Sequence, residues 1–287
     1  MRISIRVAAV VVGLSCGWAF AGVTGEWDFT GGLTATIGND LQYGDAGTAA
    51  GTSFNKTSGF GIHSVVPTDA AGNPTGPAVD ADVMSFPKTP GNGTGYKMFP
   101  GAAANGSFSP GDVNQYSMIW DVYWPAASSG KWRALLQTNA TNTGSNDGDY
   151  FINPSNGVGI SGVYHGTVPA ETWTRIGLVV NLDAPAGQPT FFKYINGNLV
   201  GSQVLNNSRW SIWSDASGNP SWVLSDNDGD TEAGYVDKIR FYDTALSESE
   251  MAALGGLTNG PVIPEPATLG LLGLGAAALL RRRRAGA

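Results

Sequence analysis

One cysteine and two histidines in 287 residues close off several chemistries at once. The cysteine, Cys16, sits in an apolar stretch near the start of the chain, and no thiol follows it. Beyond that stretch neither a disulfide nor a thiolate nucleophile is available. The histidines, His63 and His165, lie far apart and form no pair with metal-ligand spacing. Charge is scarce too: charged residues are 14% of the chain, with 16 basic against 23 acidic. Six of the basic residues crowd into the two ends (Arg2, Arg6 and Arg281 to Arg284), which leaves ten basic against 23 acidic in between. Such a surface repels nucleic acid and anionic lipid, and it suits divalent cations and neutral ligands. No Gly-x-Ser-x-Gly elbow, phosphate loop or repeat of fixed period is present.

What is present is glycine, 41 residues of it, with abundant Asn, Ser and Thr and 42% hydrophobic residues. This composition predicts many short strands joined by turns around a full core. Period-two alternation is clear in two places. Tyr116, Met118, Trp120, Val122 and Trp124 alternate with Ser117 and Asp121, and Thr174, Ile176, Leu178, Val180 and Leu182 alternate with Arg175, Gly177 and Asn181. Both read as half-buried antiparallel strands. Asn196-Gly197, between apolar runs, is a strong hairpin signal because both residues accept positive φ. Further strands are expected at 25–29, 83–86, 132–138, 150–152, 157–160, 222–224 and 234–242. Apart from 83–86, strands cannot be placed in the less regular 30–110 stretch. One short helix is legible: Ser247 caps it, Glu250 completes a capping box, Met251 and Leu254 face inward, and Gly255 ends it. A polar linker is expected after Gly256.

The ends carry targeting signals. Arg2 and Arg6 precede an apolar stretch over 7–20, and Ala19-Phe20-Ala21 is a small-x-small cleavage site, so a signal peptide over 1–21 is expected to be cut after Ala21. A lipoprotein would instead begin at Cys16, but Gly13 stands where leucine is usual. At the other end come Pro264, Glu265 and Pro266, an apolar run over 267–280, and Arg281, Arg282, Arg283 and Arg284. The prolines keep the peptide extended before the membrane, and the arginines hold the end on the cytoplasmic side. The run makes about 21 Å of helix at ~1.5 Å per residue, short of a ~30 Å hydrocarbon core, and so suits a transient span better than a permanent one. The order of motif, apolar run and basic cluster resembles the PEP-CTERM sorting tail of exopolysaccharide-producing Gram-negative bacteria. That resemblance implies cleavage by an exosortase, passage through the inner membrane, and a final place at the cell surface or in the extracellular matrix.

Between the ends, from about residue 114 to 256, lie IWDVYWP (119–125), KWRALLQTN (131–139), GVGISGVYHG (157–166), ETWTRIGLVVN (171–181), FKYINGNLVG (192–201) and YVDKIRFYDTALSESEMAALGG (235–256). These resemble a LamG-like, concanavalin A-type jelly roll. The resemblance implies an all-β antiparallel β-sandwich with one short C-terminal helix turn, over 22–258, followed by linker and sorting segment over 259–287. Domains of this kind bind sugars, bind proteins, adhere or space other modules, so the fold alone does not give the activity.

Two acidic loops could wrap a hard cation in oxygen ligands. Asp226, Asp228, Asp230 and Glu232 form one set, and Asp147 and Asp149 the other, which makes Ca²⁺ the candidate ion. The alternative is a solvated Asp/Gly turn, common between strands. Aromatic faces stack on the C–H faces of sugars. Most strand tryptophans are core residues, but Trp210 and Trp213 stand in a polar stretch and are candidate ligand-binding residues, with Tyr164 and His165 beside them. A catalytic reading fares poorly. Laminarinase-type hydrolases of this fold class carry Glu-x-Asp-x-x-Glu or Glu-x-Asp-x-Glu, and here Glu26-Trp27-Asp28 has no second glutamate. The sequence therefore points to a non-catalytic module that binds extracellular polysaccharide. The alternatives are a structural or adhesion protein of the matrix and, behind it, a glycan-active hydrolase.

Overall fold

The computed structural model describes residues 22–143, 148–205 and 208–263. The signal peptide with Ala19 and Ala21, Cys16, Asp147, and the tail with Pro264, Glu265, Pro266, its apolar helix and Arg281 to Arg284 lie outside the described residues. Among the described residues, no helix is long and apolar enough to cross a membrane.

Alternation builds the core. On strand Gln115–Tyr123, Tyr116, Met118, Trp120 and Val122 are all completely buried. This strand pairs antiparallel with Thr174–Asn181 on one side and Gly234–Tyr242 on the other. The first sheet runs Asn198–Gln203, Phe191–Ile195, Thr174–Asn181, Gln115–Tyr123, Gly234–Tyr242, Asp82–Phe86, Ser53–Lys56, and Val23–Trp27 also pairs with Gly234–Tyr242. The second runs Val163–His165, Val158–Ile160, Asp149–Ile152, Arg133–Gln137, Ser221–Val223, Tyr96–Met98, Gln42–Tyr43. Aromatic side chains join the two. Trp120 meets Tyr150 of the second sheet at 5.9 Å between ring centres, Tyr150 meets Phe191 edge-on at 5.7 Å, and Phe191 meets Trp210 edge-on at 5.3 Å. Truncating any of these to alanine would cost roughly 3–5 kcal/mol. The result is the expected face-to-face sandwich of antiparallel sheets.

The local signals hold where local chemistry decides. Asn196 and Gly197 take φ of 50° and 78° at the turn between Phe191–Ile195 and Asn198–Gln203, as a type I′ hairpin requires. Helix Glu248–Leu254 has Ser247 as N-cap with the full capping box to Glu250. Its Met251 packs on the first sheet, where Gly177 makes room: a Cβ there would collide with the methionine methyl. Arg175 fastens the helix further. It forms two 2.7 Å bonds to the Asp121 carboxylate and donates to the Leu254 carbonyl at the end of the helix.

Two readings from sequence are corrected. Residues Gly256–Val262, expected to begin a linker, form a strand that pairs with His63–Thr68. Together they cover the outer face of the first sheet over a second small core of Trp173, Tyr123, Val83 and Leu257. Trp173 locks this ribbon down: its indole N–H donates to the His63 carbonyl at 2.7 Å, and its backbone N–H donates to the Asn259 side chain at 2.9 Å. The 30–110 stretch also supplies five strands of two to six residues, including edges of both sheets; Asp82–Phe86 was expected, and the other four were not.

Candidate functional site

The ladder of the second sheet sets Asp149, Gln137, Trp222, Lys97 and Gln42 directly opposite one another in turn. Tyr150, one residue on from Asp149, points into the core. Alternation therefore turns this row to the outer face. That face is roofed rather than open. The Trp222 indole donates to the Ala140 carbonyl at 3.1 Å, Gln137 takes the Asn139 amide at 2.9 Å, and the Asn142 side chain reaches Ser225 at 2.8 Å. Trp222 and Gln137 are buried beneath. Ligand access is pushed to the margins of the roof.

One margin holds a depression of about 230 Å³ lined by Ser109, Asp112, Thr138, Asn139, Ser208, Arg209, Ser211 and Trp213. Its wall is a two-stranded ribbon, Asp112–Val113 with Ile212–Trp213, in which Trp213 stands directly opposite Asp112. The indole N–H of Trp213 donates to the Thr138 carbonyl at 2.9 Å, which fixes the plane of a half-buried ring. Ser109 donates to Asp112 at 2.6 Å, and Thr138 donates to the Arg209 carbonyl at 2.5 Å. Behind them Asn114, completely buried, takes hydrogen bonds from Ser109 and Ser211. An aromatic ring, a carboxylate, a carboxamide and hydroxyls thus share one rim. The volume is below the ~300–1,000 Å³ of an enclosed small-molecule pocket, so the site is shallow.

The sequence candidates divide. Trp213 lines the depression. Trp210 does not: it is 1% exposed, edge-on to Phe191, with the Arg209 guanidinium over its ring at 5.1 Å. The polar segment around it hid a core residue. Tyr164 and His165 lie on strand Val163–His165 and are not in this rim. Tyr164 packs edge-on against Trp132, and burial pushes its phenol up. His165 sits 3.1 Å from the buried Lys193 ammonium, and burial with that neighbour lowers its imidazole. Burial alone brings Lys193 down to about 8.

The acidic loop organises itself. Asp226, 2% exposed, accepts the amides of Asp228 and Asp230 on one oxygen, at 2.9 and 3.1 Å. Burial pushes its carboxyl up, as do Asp228 and Asp230, against the pull of those amides. Asp230 is raised by burial and by Asp228. Glu232 forms ion pairs with Lys88 at 2.8 Å and Lys131 at 3.3 Å. Asp230 and Glu232 border a second depression of about 400 Å³ with Trp132, but the ring of Trp132 is already engaged by Phe151 and Tyr164. Among the described residues, no group of three or more His, Cys, Asp or Glu side chains is gathered as a metal site.

Asp112, Asn139 and Arg209 escaped the sequence reading. Nothing local marks them, because they meet only when the Asp112–Val113 and Ile212–Trp213 strands pair beside the end of Arg133–Gln137.

The family model described as "Concanavalin A-like lectin/glucanases superfamily" matches residues 108–252, half of the chain. The PEP-CTERM protein-sorting motif matches residues 262–284, which marks the chain for export and sorting to the cell surface. No curated protein matches the chain. Among solved structures it is similar to domain 4 of AbnA, a GH43 extracellular arabinanase from Geobacillus stearothermophilus in complex with arabinotriose, at 16% identity and TM-score 0.48, over 81% of this chain and 98% of that one. It is similar to the Ruminococcus gnavus IT-sialidase CBM40 bound to α2,3-sialyllactose, at 18% identity and TM-score 0.37, over 58% and 94%. It is also similar to the botulinum neurotoxin serotype D ligand-binding domain in complex with N-acetylneuraminic acid, at 11% and 0.44, over 82% and 50%.

Proposed function

The chain belongs to the concanavalin A-like lectin/glucanases superfamily, and from that premise we propose that it is a non-catalytic module that binds polysaccharide outside the cell. The observation that carries this reading is Trp213. Its ring is held by Thr138 and faced by Asp112 in a rim of hydroxyl and amide groups. Aromatic faces take the C–H face of a sugar while neighbouring polar groups take its hydroxyls, and a shallow rim of this sort gains strength by multivalency. An exosortase cutting near Pro264-Glu265-Pro266 would release the module or re-anchor it, after transient residence in the inner membrane, among the exopolysaccharide it binds. Support for a non-catalytic role comes from the roofed sheet. Among the described residues its outward ladder carries one carboxylate, Asp149, whereas a glycosidase sets two about 5–9.5 Å apart across an open cleft.

A second reading, a matrix adhesion protein that contacts other proteins, draws on a different observation. Beside helix Glu248–Leu254, Phe192, Tyr194, Leu199 and Ala245 border an apolar hollow of about 200 Å³. Binding of the purified exported protein to a polysaccharide panel separates the two. Saturable binding that Trp213→Ala weakens at least ~10-fold and Tyr164→Ala leaves unchanged is the expected result. Binding that is indifferent to Trp213→Ala would sink the site, and no binding by folded protein would favour adhesion. A calcium and a chelator arm belong in the same assay. With Asp226 on its own loop amides and Glu232 on two lysines, binding is expected to survive chelator. Calcium-dependent binding would make Asp226–Glu232 a cation site after all.

A further inference from the structure

Trp213 is followed, two residues on, by Asp215, the first residue of the turn Asp215–Ser217. Ser214 is extended, at φ −71° and ψ 156°, and points inward: it is 1% exposed and donates to the Gly111 carbonyl at 2.7 Å. Strand Ile212–Trp213 thus runs through Ser214 straight into the turn Asp215–Ser217, so Trp213 and Asp215 sit two residues apart on one continuous backbone and the depressions they border are neighbours. Their Cα atoms can be no more than about 7 Å apart, at ~3.3 Å per residue. Asp215 borders a depression of its own, about 360 Å³, with Asn39, Asp40, Gln42 and Phe99.

That second depression is preorganised. The two oxygens of Asp215 take the Asn39 amide group at 2.9 Å and the Gly101 backbone N–H at 3.0 Å, which ties three separate segments together. The Asn39 carbonyl in turn takes the indole N–H of the buried Trp27 at 2.9 Å. Asp40 holds its own loop through the Ala35 amide at 2.8 Å. Phe99 follows strand Tyr96–Met98 and is half-buried, so it presents part of an aromatic face. Gln42, exposed on the edge strand, adds a carboxamide that both donates and accepts. The composition repeats that of the Trp213 rim: one aromatic ring, carboxylates and amides, on fixed backbone.

We infer that the Phe99 depression is a second subsite of the Trp213 site, so that the ligand is a linear oligosaccharide segment spanning both rather than a single terminal sugar. This rests on the sugar-binding reading of Trp213. Two subsites on one rigid segment make the second contact intramolecular, so affinity should climb with chain length until both are filled.

The test is calorimetry of the exported protein with neutral gluco-, xylo- and arabino-oligosaccharides, each as mono-, tri- and hexasaccharide. Wild type is expected to bind one series with affinity rising from monosaccharide to hexasaccharide. Phe99→Ala should lose about tenfold on the hexasaccharide and nothing on the monosaccharide, whereas Trp213→Ala should lose both. Should Phe99→Ala unfold, Gln42→Ala on the exposed edge gives the same readout. If affinity is flat with length and Phe99→Ala and Gln42→Ala bind the hexasaccharide as wild type does while Trp213→Ala still weakens binding, the second subsite is wrong while the Trp213 site stands. If no series binds folded wild type, both fall.

Discussion

A tryptophan's neighbours decide its role. Trp210 and Trp213 sit three residues apart in one polar stretch, yet one is packed against Phe191 and the other is held half-open by Thr138. The same contrast between local type and tertiary setting governs Asp237. It lies at the bulge of strand Gly234–Tyr242, where burial, with Asp121 adding repulsion, pushes its carboxyl up to about 7 against the pull of Lys238, Arg175 and Arg240. A carboxyl in an unfolded chain titrates near ~3.9, so between about pH 4 and 7 the native state holds the extra proton. Stability from this group is therefore fully present below about pH 4 and is lost progressively as pH rises from there to about 7. Asp237→Asn is expected to leave stability nearly unchanged at pH 4 and to raise it by about 1 kcal/mol or more at pH 8, some 2–4 °C in Tm. Denaturant midpoints for both proteins at the two pH values would check this, and an equal effect at both would refute the titration account.

At the scale of elements, legibility followed length and local rules. Strands Gln115–Tyr123 and Thr174–Asn181, the Asn196-Gly197 turn and the Ser247 capping box were readable because alternation, positive φ and cap chemistry act within a few residues. Gly256–Val262 was not. Its sequence, GLTNGPV, has no alternation, and what makes it a strand is the long-range partner His63–Thr68 together with the Asn259 bonds to Trp173 and Glu171. A chain ending at Gly255 is accordingly expected to be less stable than one ending at Ile263 by about 3 kcal/mol or more, since it uncovers Trp173 and removes Leu257. Equal denaturant midpoints would restore the linker reading. Strands as short as Gln42–Tyr43 and Tyr96–Met98 fall below any periodicity window, which is why they were not legible within 30–110 whereas 83–86 was.

For the whole molecule, the last strand among the described residues ends at Val262, just before the Pro264-Glu265-Pro266 motif. Replacing those three residues with alanine is expected to leave an uncleaved, membrane-retained product with an intact domain. Normal release of that variant, seen by fractionation, would refute exosortase processing. By itself the sequence determined the sandwich, its strongest strands and the sorting tail, because period, turn chemistry and the order of motif, apolar run and arginines are properties of neighbours in the chain. Only the tertiary structure decided the site. Asp112, Asn139 and Trp213 come together through pairing between distant segments, the roof over the second sheet closes the central face, and Trp210 is withdrawn into the core. Those outcomes depend on which surfaces meet, and no local pattern encodes that.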